Sequence, residues 1–544
     1  MVEGERRSGR FVSRALPWLL MLPSFLWIAL DEHVWPWDQA WYGETAVDLW
    51  WTIRHDPSHW VHAMTEAFGT KAPGLAWLGQ WFVPLGNAAG SVEFGLLFFT
   101  VVTNVLTLSL FIRIGTFLWQ GDRRGGWLMA VLGAASPLLM GMGHQFMVEA
   151  LQLLAVSYFF WLVVAGGGRT RAWLLGQGLI AGSLAMIAKV TSPLYCGLVG
   201  LLLLGRIFFA ARNFSPAGTR ERIKEMVGLS VGLVGTAAML KWYFHNLETI
   251  RAFVKLATYS DVALYYGRLP EFWPKWKFWL GATQAAFVLP VVSVSLGILA
   301  TAALIAQRIR AELARPDRWH FGLMAAGAAT VGLTLFFFTR QVNEDVRYLL
   351  PMCPALLVPV VGLLGRGLRR VVFPAVLVAT VLQWAVVAGA ALGWRPMPAG
   401  VTPWLIALES DKTKKRDVRA VIRATTSAET AFRYNVNSYE CPWLNANSLA
   451  FYAAMQRLKT GIRCYYTPLG YAATDVEAVW ARVHNIPAES FIGLEASLQP
   501  QPPDFLNQTA LPTLQRMETD PQYRKLIFPN PSGIVIFQRR PPSG

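Results

Sequence analysis

About eleven strongly apolar runs, separated by short polar connections, occupy the first 400 residues of the chain. They fall near 15–30, 92–119, 127–143, 149–166, 172–188, 193–211, 226–245, 281–306, 321–338, 348–365 and 371–392. A helix needs ~17–25 such residues to cross the hydrocarbon core, where it must satisfy its own backbone hydrogen bonds. The pattern therefore predicts an α-helical polytopic membrane protein, with residues 1–400 as its transmembrane part. From about Trp404 the pattern changes. Residues 433–437, 463–468, 490–496 and 533–539 look like short strands, while 447–459 and 474–483 carry helical spacing, the latter opened by Thr474-Asp475 as a cap. This alternation predicts a small α/β domain over 401–544.

Charge orients the helices. Alternate connections hold Arg6, Arg7, Arg10 and Arg14, then Arg123-Arg124, Arg169 with Arg171, Arg206 to Lys224, Arg308 to Arg318, and Arg366 with Arg369-Arg370. The opposite connections are mixed or acidic. By the positive-inside rule the basic set is cytoplasmic, the first span is uncleaved with its basic end inside, and the 401–544 domain is extracytoplasmic. The expected location is the plasma membrane, or inner membrane in a bacterium. Composition agrees: the 544 residues are 54% hydrophobic with 24 Trp, and mean hydropathy is +0.36. The formal charge of +16 sits in short loop clusters, which argues against nucleic acid as a partner. Cys196 and Cys353 lie inside apolar runs, whereas Cys441 and Cys464 join only if their compartment is oxidising. Tryptophans such as Trp273, Trp276 and Trp279 read as interface anchors.

One connection breaks the economy of the others. Residues 31–90 hold Asp31, Glu32, Asp38, Glu44, Asp48, Asp56 and Glu66, an acidic stretch expected to lie on the aqueous side as juxtamembrane helices over about 32–90. Further unusual polar residues fall on the same predicted side: Tyr42, Lys71, His144, Glu149, Lys189, Arg268, Arg340, Glu344, Asp345, Arg347 and Tyr348. Charges at span ends are costly unless solvated or paired, so their gathering on one face suggests a site. Carboxylates beside Lys and Arg suit a reaction that activates one oxygen or nitrogen nucleophile and holds one anionic leaving group. His55, His59 and His62 recur at helical intervals and are weak candidates for zinc, but Pro57 interrupts them and solvated interfacial histidines are the better reading. No cofactor is demanded by these residues, and a divalent metal stays open.

Five segments in order carry a resemblance. Asp38-Gln39-Ala40-Trp41-Tyr42, Lys71-Ala72-Pro73-Gly74, Met147-Val148-Glu149-Ala150-Leu151, Ala188-Lys189-Val190-Thr191-Ser192-Pro193 and Arg347-Tyr348-Leu349-Leu350-Pro351 resemble marker segments of GT-C glycosyltransferases. The bacterial branch related to protein O-mannosyltransferases and the lipid A aminoarabinose transferase is the most similar. The resemblance implies an inverting transferase taking a sugar from a polyprenyl-phosphate donor at the outer face of the membrane. It implies Asp38 as catalytic carboxylate, Glu149 as a second acid, Lys71 as a phosphate contact, and Lys189, Arg347 and Tyr348 lining the donor site. Arg268 is a further phosphate candidate. The acceptor, whether lipid, glycan or protein, is not specified. Gln39 stands where the family usually has Glu, Ala72 where it has the first proline, and Thr70 where some members have an acidic metal ligand.

Duller roles compete for each residue. Asp38 suits a helix cap, Lys71 an interfacial anchor, and Glu149 a structural pair with His144. Lys189 and Arg347 suit ion pairs with Glu149 or Asp345. A transporter, or a non-catalytic protein that binds lipid-linked sugars, is the alternative at the level of function.

Overall fold

The computed structural model describes residues 2–209, 218–259, 267, 271–288, 297–298, 301, 318–365, 369–394, 396, 405–426, 432–527 and 531–540. Nine helices among them are long and apolar enough to cross a membrane, from Phe11–Leu30 to Phe373–Ala391. One further pair of helices passes the same test only when taken together, and it is sharply bent. Arg123–Ala134 and Pro137–Gly143 meet at 68° because Pro137 cannot donate to the preceding turn, while Ser136 starts the second helix afresh by accepting from Leu139 N. The run expected at 281–306 falls largely outside the described residues; its start belongs to the helix Phe272–Phe287. The chain is thus an α-helical polytopic membrane protein carrying a small C-terminal sheet, as its hydrophobic pattern predicts.

The chain divides into two compact units. The first comprises residues 1–29, 65–75 and 97–407. Its tightest helix pair, Arg171–Ala188 with Thr219–Tyr259, approaches through glycines: a Cβ on Gly176 would lie 2.8 Å from Leu229 N, and one on Gly232 2.7 Å from Gly176 O. Small residues at such crossings let membrane helices gain dispersion contacts that lipid cannot replace. Trp279, expected at the interface, is instead fully buried and donates to Phe338 O at 3.2 Å. Its indole finds an internal acceptor, so it belongs to the core; Trp273 is the exposed one.

The second unit comprises residues 30–64, 76–96 and 408–544. Its sheet contains β1 (Phe432–Asn437), β2 (Arg463–Pro468), β3 (Ser490–Leu494), β4 (Tyr523–Leu526) and β5 (Ile534–Arg539) in the order β2-β1-β3-β5-β4. β1 runs parallel to β2 and β3, and β5 is antiparallel to β3 and β4. Val436, Phe491, Val535 and Phe537 turn one face toward Val479, Val483, Leu514 and Met517 of two helices, Val476–Asn485 and Ala510–Thr519. Asp475 caps the first of these by accepting from Glu477 N and Ala478 N. A further helix, Ala446–Thr460, packs against the helix Trp37–His55, and Gly43 makes this approach achievable, since a Cβ there would meet the Phe451 ring at 2.8 Å. No disulfide joins Cys441 and Cys464; the Cys464 thiol lies 3.3 Å from Thr426 Oγ1.

Candidate functional site

In the first unit, the charged residues at the span ends converge on one carboxylate. Glu149 sits in the first turn of the helix Val148–Ala165, where a negative charge is favoured by the free backbone N–H groups, and its side chain is 1% exposed. Lys189, the residue that ends the helix Arg171–Ala188, donates to Glu149 Oε1 at 2.7 Å. Arg347 Nε lies 3.6 Å from the same oxygen and 2.6 Å from Asp345 Oδ2. Asp345 also receives Arg347 N and so starts the short 3-10 helix Val346–Met352 that presents Arg347 and Tyr348. The Tyr348 ring lies 3.8 Å beneath the Lys189 ammonium, and Tyr195 donates its hydroxyl to Tyr348 O at 2.6 Å. Glu149 Oε2 accepts no hydrogen bond among the described residues.

Thus Glu149, Lys189, Arg347 and Tyr348 form one cluster, and the pairing of Lys189 and Arg347 with Glu149 and Asp345 is real. Sequence reasoning missed the supports: Tyr195, and Gln152, which donates to Thr191 Oγ1 and Ser192 Oγ and so ties the turn after Lys189 to the helix of Glu149. Gln152 follows Glu149 at helical spacing inside an apolar run, a signal that was available.

The Lys71 segment is anchored in the same unit. Trp242 donates to Ala67 O at 3.1 Å and Asn246 to Thr65 O at 3.1 Å, fixing the chain before the turn at Phe68 and Gly69, whose φ values are 66° and 58°. A Cβ on Gly74 would lie 2.6 Å from Ile187 O, so the segment after Lys71 crosses the backbone directly before Lys189. The Lys71 ammonium itself lies 5.9 Å from the Phe253 ring.

In the second unit, Asp38 occupies the first turn of Trp37–His55, and the cap position belongs to Pro36, which makes no side-chain bond. Asp38 is therefore not a cap. Tyr42 is buried and Glu44 half-buried on the same helix. Burial raises the Glu44 carboxyl to about 8, with the Asp48 charge adding to the rise and Arg457 and Arg463 opposing it. Arg457 pairs with Asp48. Glu440, raised by burial to about 7, accepts from Trp37 Nε1 at 3.2 Å.

Other expected residues lie elsewhere. His144 stacks on Trp27 at 4.4 Å and hydrogen-bonds Ser24 Oγ through Nε2 at 3.1 Å, and burial lowers its pKa to about 3. Arg340 rests over the Phe272 and Phe336 rings. Arg268 lies outside the described residues. His55 stacks on Trp51 and bonds Trp51 O, while His59 and His62 meet edge to face. Among the described residues no group of three or more His, Cys, Asp or Glu is placed to hold a metal ion. The three histidines form no such group: the helix Trp37–His55 ends at His55, two residues before Pro57.

A bundle of long apolar helices with a small C-terminal sheet is the architecture of the GT-C fold. No family model matches the chain, and no curated protein matches it. Among solved structures it is similar to ArnT from Cupriavidus metallidurans in the apo state, with a TM-score of 0.57 at 14% identity over 96% of this chain and 97% of that one. It is likewise similar to ArnT from the same organism bound to undecaprenyl phosphate, with a TM-score of 0.56 at 14% identity over 95% of this chain and 96% of that one. The chain has the GT-C fold that its sequence segments anticipate.

Proposed function

We propose that the protein is an integral-membrane glycosyltransferase that moves a sugar from a polyprenyl-phosphate donor to an acceptor hydroxyl or amine, with inversion. The observation that carries this reading is a buried Glu149–Lys189–Arg347–Tyr348 cluster in a chain whose fold, nearly end to end, matches a protein crystallised with undecaprenyl phosphate. In the reaction the acceptor's proton passes to the Asp38 carboxylate as its oxygen or nitrogen bonds to the anomeric carbon. The bond from that carbon to the phosphate oxygen breaks on the opposite face, and the phosphate monoester leaves with both electrons. Lys71, Lys189 and Arg347 serve the growing phosphate charge, Arg268 being a further candidate, and Tyr348 walls the site. Glu149 orients the acceptor through Oε2, which has no hydrogen-bond partner among the described residues. The basic loops face the cytoplasm, and the chemistry takes place on the outer side of the inner membrane.

The test is Asp38→Asn in protein reconstituted with undecaprenyl-phosphate sugars. Transfer is expected to vanish while the melting profile and undecaprenyl phosphate binding persist. Full activity in that variant overturns the mechanism. Binding without turnover by the wild type establishes a lipid-linked-sugar binding protein instead, and solute movement into proteoliposomes a transporter.

A further inference from the structure

We propose that the C-terminal α/β domain is a positioning device for Asp38: the crevice where its sheet reverses direction holds the Trp35–Trp37 segment and so fixes the first turn of the helix that carries the carboxylate. The inference rests on the catalytic reading of Asp38 given above.

In the β2-β1-β3 part of the sheet, the chain leaves β1 toward one neighbour and returns from β2 toward the other. Parallel sheets open a crevice at such a reversal, beyond the carboxyl ends of the strands, and that is where α/β domains seat their ligands. Here the crevice at the end of β1 is filled by the protein itself. Glu440 is held by Asn507, which accepts from Glu440 N at 2.7 Å and donates to Glu440 O at 2.9 Å. Its Oε1 accepts from Ala446 N at 3.3 Å, at the start of the helix Ala446–Thr460, and from Asn437 Nδ2 at 3.2 Å. Its Oε2 is turned outward to the Trp37 indole.

Around that bond the segment is gripped as a bound peptide is. Ser448 donates to Trp35 O at 2.6 Å, and Asn447 to Trp37 O at 3.3 Å. The Trp35 ring stacks on Phe451 with centroids 4.7 Å apart and planes within 9°. The grip matters because Pro36 gives the helix Trp37–His55 no side-chain cap. A helix start without a local cap takes its direction from whatever holds it. Here that is the domain, which also pairs Arg457 with Asp48 further along the same helix. Glu440, Asn447 and Trp37 are thus positioning residues that act through Asp38.

The experiment measures kcat and KM for an undecaprenyl-phosphate sugar in full-length Trp37→Phe, Glu440→Ala and Glu440→Gln, beside Val479→Ala as a packing control in the core on the opposite face of the sheet. Trp37→Phe and Glu440→Ala should lose about tenfold to a hundredfold in kcat, the scale on which small misplacements of a reacting group act, with KM held within about twofold. Glu440→Gln, which keeps one acceptor oxygen for the indole but turns its amide NH2 toward Ala446 N, should fall between the wild type and Glu440→Ala, and Val479→Ala should keep kcat despite a lower melting temperature. Unchanged kcat in both Trp37→Phe and Glu440→Ala, with Asp38→Asn inactive, overturns the positioning role alone. An equal kcat loss in Val479→Ala shows general destabilisation and overturns it too. Activity in Asp38→Asn removes the reading beneath it.

Discussion

Two buried glutamates open two apolar helices, and their surroundings differ in one respect. Glu93 begins Val92–Leu118 and Glu149 begins Val148–Ala165. Glu93 Oε1 accepts the Tyr452 hydroxyl at 2.6 Å and lies 3.0 Å from Lys415 Nζ, while Oε2 lies 3.6 Å from Arg419. Lys415 is also 3.4 Å from Glu32. Both oxygens of Glu93 are thus engaged. Around Glu149 both cations crowd onto Oε1, and Oε2 has no hydrogen-bond partner among the described residues, although the side chain is as deeply buried. Leaving a buried carboxylate oxygen unpaired costs about 1–3 kcal/mol or more. Under the proposed function, the glutamate that bears this cost is a place kept for a substrate donor and the one that avoids it a clasp.

The largest effect should follow from opening the clasp. Lys415→Met leaves Glu93 and Glu32 short of a buried cation, and removing one partner of such a pair costs about 3–5 kcal/mol. The loss should appear as a lowered denaturation midpoint with activity per folded molecule retained. A loss below ~1 kcal/mol would mean that Glu93 is solvated or paired otherwise, and the contrast would dissolve. Next in size is Glu149→Gln. Lys189 and Arg347 are 21% and 16% exposed, so water can take over part of their solvation and stability should fall by only ~1 kcal/mol. The transfer rate should fall by about a hundredfold, ~2.7 kcal/mol of barrier, because the acceptor-orienting charge is gone. Equal stability losses in the two variants, with the Glu149→Gln rate unchanged, would make both glutamates structural.

This contrast was half legible from the chain. The bilayer forces long apolar helices, so the spans stand out, and a lone acid at the head of a span such as Glu149 is conspicuous against Leu and Val. Glu93 carries the same signal, yet the partners that decide its role come from Thr413–Thr425, a helix so rich in Lys and Arg that it reads as a solvated connection. β4 was hidden for a related reason: Arg524 and Lys525 are exposed on a short edge strand, which erases the alternation that marks β1 and β5. That residues 30–64 and 408–544 form one unit depends on distant contacts such as Gly43 against Phe451, which no local pattern encodes. The ordered segments point to Asp38, Lys71, Glu149, Lys189 and Arg347, and Gln152 could have been read from its spacing to Glu149, whereas the supports at Tyr195 and Glu440 become visible only once the helices are packed.

The smallest effect offers the finest test of what engaged means at Glu93. Tyr452→Phe deletes the hydroxyl that donates to Oε1 and also accepts Trp35 N at 3.4 Å. Because Lys415 still faces the same oxygen, the carboxylate keeps a partner, and the loss should be about 1.5 kcal/mol, at the lower end for hydrogen bonds to a charged group. Thermal denaturation followed by tryptophan fluorescence would measure it. A cost matching that of Lys415→Met would show that the hydroxyl, not the ion pair, supports Glu93, and that its two oxygens are as unequally served as those of Glu149.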